Sequence, residues 1–229
     1  MKAKLAIATV SLLVLGLVVS GAASGAFVAI YRNALETTAQ RSEVLKLSGK
    51  ACTRGGGQTT LNITVGKLTE ECAYKTPVVG QDLEIAATGS INSATPPAVA
   101  KKAFLGLVLR AGGGAKLELR VFPAQKKAQI ARITEEGIKF LAVKKNIVSL
   151  KEANKAVVLR LRAISGAGEA AATCKIGGYL AGELVVEAED PACGELKGES
   201  TALAAGATNN GVGVIASFAA IVVRVPVRF

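Results

Sequence analysis

Arginine side chains alternate with aliphatic ones in three segments of this chain, residues 105–110, 116–122 and 156–164. If each segment is extended, side chains at every second position share one side, so the aliphatic and the charged residues face opposite ways. The charged residues in question are Arg110, Glu118, Arg120, Arg160 and Arg162. The planar guanidinium of arginine pairs well with carboxylate and phosphate groups. The pattern therefore predicts a basic stripe that binds an anionic ligand, provided that the three segments share one sheet.

The same residues allow a plainer interpretation. On a solvated sheet face, the arginines and Glu118 would form cross-strand ion pairs, each contributing at most about 1 kcal/mol. Replacement of the four arginines by Ala separates the two interpretations, because only a ligand site would lose binding.

Catalytic chemistry finds little support in the residue types. The chain has no His, which removes the usual base for an activated serine and the commonest metal ligand. Glu187 and Glu189 would share one face of an extended segment, and we interpret them as solvated edge charges. Glu70 and Glu71 are adjacent and are interpreted as surface charge. The sequence therefore predicts no enzyme activity, no cofactor and no metal site.

The cysteines number four, an even set typical of an oxidising compartment. They are Cys52, Cys72, Cys174 and Cys193. Sequence permits three connectivities; local pairing would close two loops of about twenty residues, each contributing about 3 kcal/mol in the entropic account. We predict the two local disulfides, with four buried thiols as the alternative. Zinc is disfavoured because no Cys-x-x-Cys pair is present.

The elements that would position these groups are short strands. Beyond residue 50, apolar residues recur at every second position between Gly, Pro and Asn turns. The predicted strands are 82–91, 103–110, 116–122, 128–134, 138–143, 156–164, 173–180, 183–189, 201–206 and 212–225. No crossover helix separates them, so the predicted fold class is all-β, an antiparallel sandwich.

The order of these segments resembles a known architecture. The segments that carry the resemblance are FLGLVLRAGGGAKLELRVFPAQKKAQIARI (104–133), KAVVLRLRA (155–163), YLAGELVVEAEDP (179–191) and STALAAGATNNGVGVIASFAAIVVRVP (200–226). They are similar to the concanavalin-like, laminin-G-like jelly roll, in particular to exported bacterial domains of the 3-keto-disaccharide hydrolase-like and glycosidase-type sandwiches. The resemblance covers about residues 75–226 and implies two curved antiparallel sheets.

Two departures from that pattern bear on function. Ala181-Gly182 replaces the Asn-Gly of one hairpin, and Phe218-Ala219-Ala220 lacks the two polar residues that follow the Phe in the family. The Glu-x-Asp-x-x-Glu strand of the sandwich glycosidases is absent as well. The architecture hosts enzymes, lectins and adhesion modules alike, so it does not imply catalysis.

The resemblance suggests an acidic saccharide or an anionic cell-wall polymer as the ligand. Neutral sugars are usually held by exposed aromatic rings, whereas most aromatics here lie at core-like strand positions. Tyr179, beside Gly177-Gly178, is the aromatic candidate, with core packing as its alternative. If two carboxylates faced each other in a concave groove, the alternative function would be a glycoside-active enzyme; a purely structural envelope domain is a third hypothesis.

The amino-terminal segment determines the predicted location. No charged residue occurs from Leu5 to Tyr31, and Lys2 and Lys4 precede this run. About 20 apolar residues span a bilayer as a helix. Residues 1–31 are therefore predicted to be a signal anchor, which attaches the protein to the membrane through residues 5–31. The alternative is a signal peptide cleaved near Ser24-Gly25-Ala26, which would release the protein.

Residues 32–47 are predicted as a juxtamembrane stalk, and residues 48–229 as the jelly-roll domain. The formal net charge of +11 would attract an anionic wall or lipid surface. Export and the shortage of aromatics argue against nucleic acid as a partner. The sequence thus predicts a membrane-anchored, extracytoplasmic, non-catalytic domain that binds a carbohydrate or an anionic envelope ligand.

Overall fold

The computed structural model describes residues 26–49, 51–56, 59–66, 71–150, 152, 154–166, 172–208 and 212–227. These residues form fifteen strands and two short helices, α1 (Thr38–Ser42) and α2 (Pro97–Ala100). The strands are β1 (Phe27–Asn33), β2 (Leu45–Ser48), β3 (Cys52–Gly56), β4 (Leu61–Val65), β5 (Glu71–Val79), β6 (Leu83–Ile91), β7 (Ala103–Gly112), β8 (Ala115–Phe122), β9 (Lys127–Thr134), β10 (Gly137–Lys144), β11 (Val157–Ser165), β12 (Cys174–Leu180), β13 (Glu183–Asp190), β14 (Ser200–Ala207) and β15 (Ile215–Pro226).

The strands form two antiparallel sheets that pack face to face. The first sheet has eight strands in the order β13-β12-β11-β6-β15-β4-β3, with β1 paired to β15. The second sheet has seven strands in the order β10-β9-β8-β7-β14-β5-β2. The inward side chains of both sheets form one hydrophobic core, in which Leu107, Leu119 and Leu161 are fully buried. The all-β sandwich predicted from the sequence is therefore confirmed.

All ten predicted strands are present, with ends that differ by at most three residues. Strands β1 to β5 were not predicted. Their sequences are interrupted by charged residues and by segments such as Arg54-Gly55-Gly56, so alternation is weak there. These strands lie at sheet edges or pair with strands from distant parts of the chain, and their neighbours supply the burial that their own pattern does not indicate.

The described residues include strands of the sandwich on the amino-terminal side of residue 48. Residues 27–31, predicted as the end of the apolar segment, belong to β1, which pairs with the second half of β15. Helix α1 spans only Thr38–Ser42 of the predicted stalk, because Leu35 and Val44 on either side of it are buried in the core. The sandwich thus includes residues 27–49. Residues 1–25 of the predicted membrane anchor lie outside the described residues. No helix among the described residues is long and apolar enough to cross a bilayer.

Two disulfides close local loops as predicted, Cys52–Cys72 and Cys174–Cys193. The first ties β3 to the start of β5. The second joins the start of β12 to the one-turn 3-10 helix Cys193–Glu195. Disulfides persist in oxidising compartments, so these bridges indicate an extracytoplasmic domain.

Candidate functional site

A groove with a volume of about 840 Å³ lies on the outer face of the second sheet. Leu47 of β2 borders one side of it, and Ile138 and Phe140 of edge strand β10 border the other. The turn Gly112–Gly114 between β7 and β8 lines it as well. The groove therefore crosses the sheet, and its lining includes both apolar and charged side chains.

Three charged side chains, Glu71, Lys116 and Arg120, line the floor of the groove, and a fourth, Glu118, is buried beneath them. Lys116, Glu118 and Arg120 alternate with core residues along β8, and Glu71 comes from the start of β5. Arg120 Nη2 lies 2.7 Å from Glu71 Oε2 and 3.1 Å from Glu118 Oε2. Lys116 Nζ contacts Glu71 and lies 3.4 Å from Glu118 Oε2. We call these four residues the floor cluster; its two acids and two bases balance in charge.

The two acids of the floor cluster, Glu71 and Glu118, have pKa values shifted in opposite directions. Glu118 is fully buried, and its carboxylate oxygens have ion-pair partners but no hydrogen bond of good geometry. Burial acts to raise the pKa of Glu118, but Lys116 and Arg120 outweigh it and lower that pKa. Burial and the neighbouring Glu118 raise the pKa of Glu71. The cluster thus favours a charge on Glu118 more than on Glu71.

A glycine makes room for the buried carboxylate. A Cβ atom at Gly106 of β7 would lie 2.7 Å from Ala204 Cβ and 2.8 Å from Glu118 Oε1. Ala73, Ala202 and Ala204 also pack on this face of the sheet. Small residues beside β8 therefore allow an acidic side chain to lie flat against the sheet.

Aromatic rings line one end of the groove and one side of it. Phe104 and Phe122 lie with ring centroids 5.5 Å apart. The Arg120 guanidinium lies 4.7 Å from the Phe104 centroid, and Lys127 Nζ lies 3.9 Å from that of Phe122. Phe140, on β10, is 53% exposed. Its exposure gives the groove an aromatic surface open to solvent.

The side chain of Arg110 contacts residues that do not line this groove. It has φ of 53° at a bulge between β7 and β8, and its side chain points between the sheets. There it donates to Asp82 Oδ1, Ser165 Oγ and the carbonyls of Gln81 and Cys193. Arg110 is 1% exposed and Glu118 is fully buried, so neither side chain is open to a ligand in this structure.

Arg160, Arg162 and Tyr179 lie on the outer face of the first sheet, opposite the groove. There Arg162 donates through Nε and Nη2 to Glu84 Oε2, at 3.0 and 2.8 Å, and Arg224 donates to Glu84 Oε1 at 2.7 Å. The Arg160 guanidinium stacks on Tyr179, 4.0 Å from the ring centroid. The predicted stripe is therefore not formed, because β11 belongs to one sheet and β7 and β8 to the other.

Replacement of Glu84 tests whether these arginines stabilise the first sheet. Glu84 is 1% exposed and contacts Arg160, Arg162 and Arg224. We expect Glu84→Gln to lower the free energy of unfolding by about 1–3 kcal/mol, because hydrogen bonds to charged groups are lost and three cations face one another. Urea unfolding followed by circular dichroism measures the change. An unchanged midpoint would contradict this structural role.

Solved structures similar to this one share its two-sheet topology. The carbohydrate-binding module CBM66 from Bacillus subtilis matches with a TM-score of 0.56 at 14% identity, over 77% of this chain and 92% of that one. A Bacillus subtilis protein of unknown function with a galectin-like fold matches with a TM-score of 0.61 at 12% identity, over 88% and 97%. The κ-carrageenase of Pseudoalteromonas carrageenovora, solved with an oligotetrasaccharide of κ-carrageenan, matches with 0.60 at 8% identity, over 89% and 97%.

The fold is the concanavalin-like jelly roll. At these identities the likeness establishes the fold alone. No protein-family model matches the sequence, and a search of curated proteins finds no significant match.

The jelly roll brings together residues that the sequence pattern did not connect. Of the predicted site residues, only Arg120 lines the groove, and Glu71, Lys116 and Phe140 were not among the candidates. Lys116 and Arg120 do share a face by the period of two, which was a usable signal. Nothing in the sequence indicates that β5 pairs with β14 or that Glu71 lies beside Lys116 and Arg120. Among the described residues, no group of His, Cys, Asp or Glu has an arrangement suited to a metal ion.

Proposed function

We propose that this protein is an extracytoplasmic, non-catalytic domain that binds a carbohydrate in the groove of the second sheet. The observation that carries the proposal is the groove itself, which combines an exposed aromatic ring, Phe140, with charged hydrogen-bonding groups in its floor. Ligand sites commonly have this composition, a largely apolar wall with a few convergent polar groups. Structures of the same fold include a carbohydrate-binding module and a carrageenase with its oligosaccharide, which supports the class of ligand.

Two features that agree with export also support the proposal. The two disulfides agree with an oxidising compartment, and the apolar segment before residue 27 agrees with a signal for export. We propose that this segment either anchors the protein in the membrane or is cleaved. Assignment of Phe27–Asn33 to β1 leaves residues 5–26 for it, which is still about the length of a membrane span.

Replacement of Phe140 tests the groove as the binding site. We expect Phe140→Ala to weaken binding of a glycan about tenfold, because an exposed ring that stacks on a sugar is lost. The full-length protein is screened on a glycan array, and affinities for the glycans retained are then measured by calorimetry. Leu184→Ala is the matched control, since Leu184 is 49% exposed but lies in the first sheet. If Phe140→Ala and wild type bound the glycan with equal affinity, the groove would be excluded as the binding site.

A glycoside-active enzyme is the second candidate, and one observation favours it. Glu71 lines the groove beside the buried Glu118, and the pKa of Glu71 is raised, as a general acid requires. However, Glu118 is fully buried, so it cannot reach a sugar carbon. We therefore expect no release of reducing ends from any array-positive glycan. Release that Glu71→Gln abolishes would reverse the choice between the two functions.

A further inference from the structure

Six lysines belong to chain segments at the end of the second sheet where Phe104, Phe122 and Thr208 line the groove. They are Lys101, Lys102, Lys126, Lys127, Lys144 and Lys145. We call this group the lysine end. Five of its members are exposed, and Lys127 is half-buried and lines the groove.

Backbone contacts hold two of these lysines beside the groove. The Lys102 carbonyl accepts a hydrogen bond from the amide of Thr208, a residue that lines the groove. The Lys101 carbonyl accepts one from Gln125 Nε2, at 3.0 Å. Gln125 is in the one-turn helix that leads directly into Lys126 and Lys127.

The other four lysines come from the β9–β10 pair and its continuation. Lys144 is opposite Ala128, a core residue, so its side chain lies on the other face of the sheet from Lys127, whereas Lys145 follows it just beyond the end of β10. The Lys126 carbonyl accepts a hydrogen bond from the amide of Ile147, which keeps the segment after β10 against the start of β9. Burial and the charge of Lys145 both lower the pKa of Lys127, in agreement with like charges at close range.

Charge at the lysine end is uncompensated. Among the described residues, none of the six lysines forms an ion pair, whereas the floor cluster pairs two acids with two bases. The positive surplus of the groove is therefore concentrated at one end. Like charges held together repel each other, and a bound anion relieves that repulsion.

We infer that the ligand of the groove carries anionic groups over the lysine end, which makes it an acidic polysaccharide bearing sulfate, phosphate or uronate. This inference rests on the proposed carbohydrate-binding function and adds the class of saccharide. A polymer fits better than a small anion, because the groove extends along β7 and β8 from the Gly112–Gly114 turn to the lysine end.

The test compares dextran sulfate with uncharged dextran on the full-length protein and its variants. Wild type is expected to bind dextran sulfate and to leave dextran unbound. Lys127→Gln together with Lys145→Gln is expected to weaken dextran sulfate binding about tenfold, and added salt should reduce the difference. The control, Lys155→Gln with Lys197→Gln, removes the same charge from exposed lysines elsewhere and is expected to change affinity by less than about twofold.

The outcomes separate this inference from the proposed function. Equal effects of the two double variants would attribute binding to net charge alone and overturn the inference, while a loss in Phe140→Ala on array glycans would still support the groove. Equal binding of dextran and dextran sulfate, or no binding of dextran sulfate, also overturns it. A loss in the lysine-end variant without any loss in Phe140→Ala would place the anion outside the groove and contradict both proposals.

Discussion

Glu118→Gln is expected to destabilise the protein by about 3–5 kcal/mol. The side chain is fully buried between Lys116 and Arg120, so removal of its charge leaves two cations with Glu71 as their only acidic partner in the floor cluster. Such a loss is a large part of the about 5–15 kcal/mol that stabilises a typical domain. Urea unfolding followed by far-UV circular dichroism measures it, since the chain has no Trp.

Glu71→Gln is the matched control in the same floor cluster. The pKa of Glu71 is raised, so its surroundings disfavour the charge, and a neutral amide in its place should cost about 1 kcal/mol or less. If Glu71→Gln and Glu118→Gln lowered the free energy of unfolding equally, the two carboxylates would contribute alike. That result would contradict the conclusion that the cluster favours a charge on Glu118 more than on Glu71.

The effect of Glu118→Gln should depend on pH in a defined direction. The pKa of Glu118 in the folded protein lies below its ordinary value of 4.5, so the unfolded chain takes up the proton first. The stability that this carboxylate contributes is present above about pH 4.5 and is lost as the pH falls through the lowered pKa. The difference between wild type and Glu118→Gln should therefore narrow at acidic pH; a difference that widens on acidification would refute the lowered pKa.

Arg110→Met is expected to lower stability by a similar amount, about 3–5 kcal/mol. Arg110 connects the sheets, because it lies at the end of β7 and donates to Asp82 before β6 and to Ser165 at the end of β11. Methionine fills much of the volume but leaves the carbonyls of Gln81 and Cys193 without this donor. The free energy of unfolding in urea measures the loss.

Two further variants test whether the effect of Arg110→Met arises from the charge and the burial of Arg110. Arg160→Met should cost less than about 1 kcal/mol, since Arg160 is 27% exposed. Asp82→Asn combined with Arg110→Met should recover part of the loss, because the negative charge that faced the Arg110 guanidinium is removed as well. If Arg110→Met unfolds at the same urea concentration as wild type, the buried arginine does not hold the sheets together.

Much of the fold followed from local pattern. Alternation placed ten strands, and Leu107, Leu119 and Leu161 turn inward as it required. Two pairs of cysteines about twenty residues apart formed the local disulfides. These features can be predicted from the sequence because a strand that covers a core must bury every second side chain, and because a short loop closes at a small cost in entropy.

The candidate site depended on contacts that no local pattern contains. Alternation shows which residues of a strand share a face, but it does not show which sheet the strand joins; Arg120 and Arg160 therefore ended on opposite faces of the molecule. One bulge in β7 sent Arg110 inward, since an extra residue reverses the side on which later residues lie. Glu71 reached Lys116 through the pairing of distant strands. The sequence by itself determined ten of the strands, the inward-facing residues of those strands and the disulfides. Tertiary packing decided the remaining strands, the groove and its charged floor, because strand pairing depends on burial over the whole sandwich.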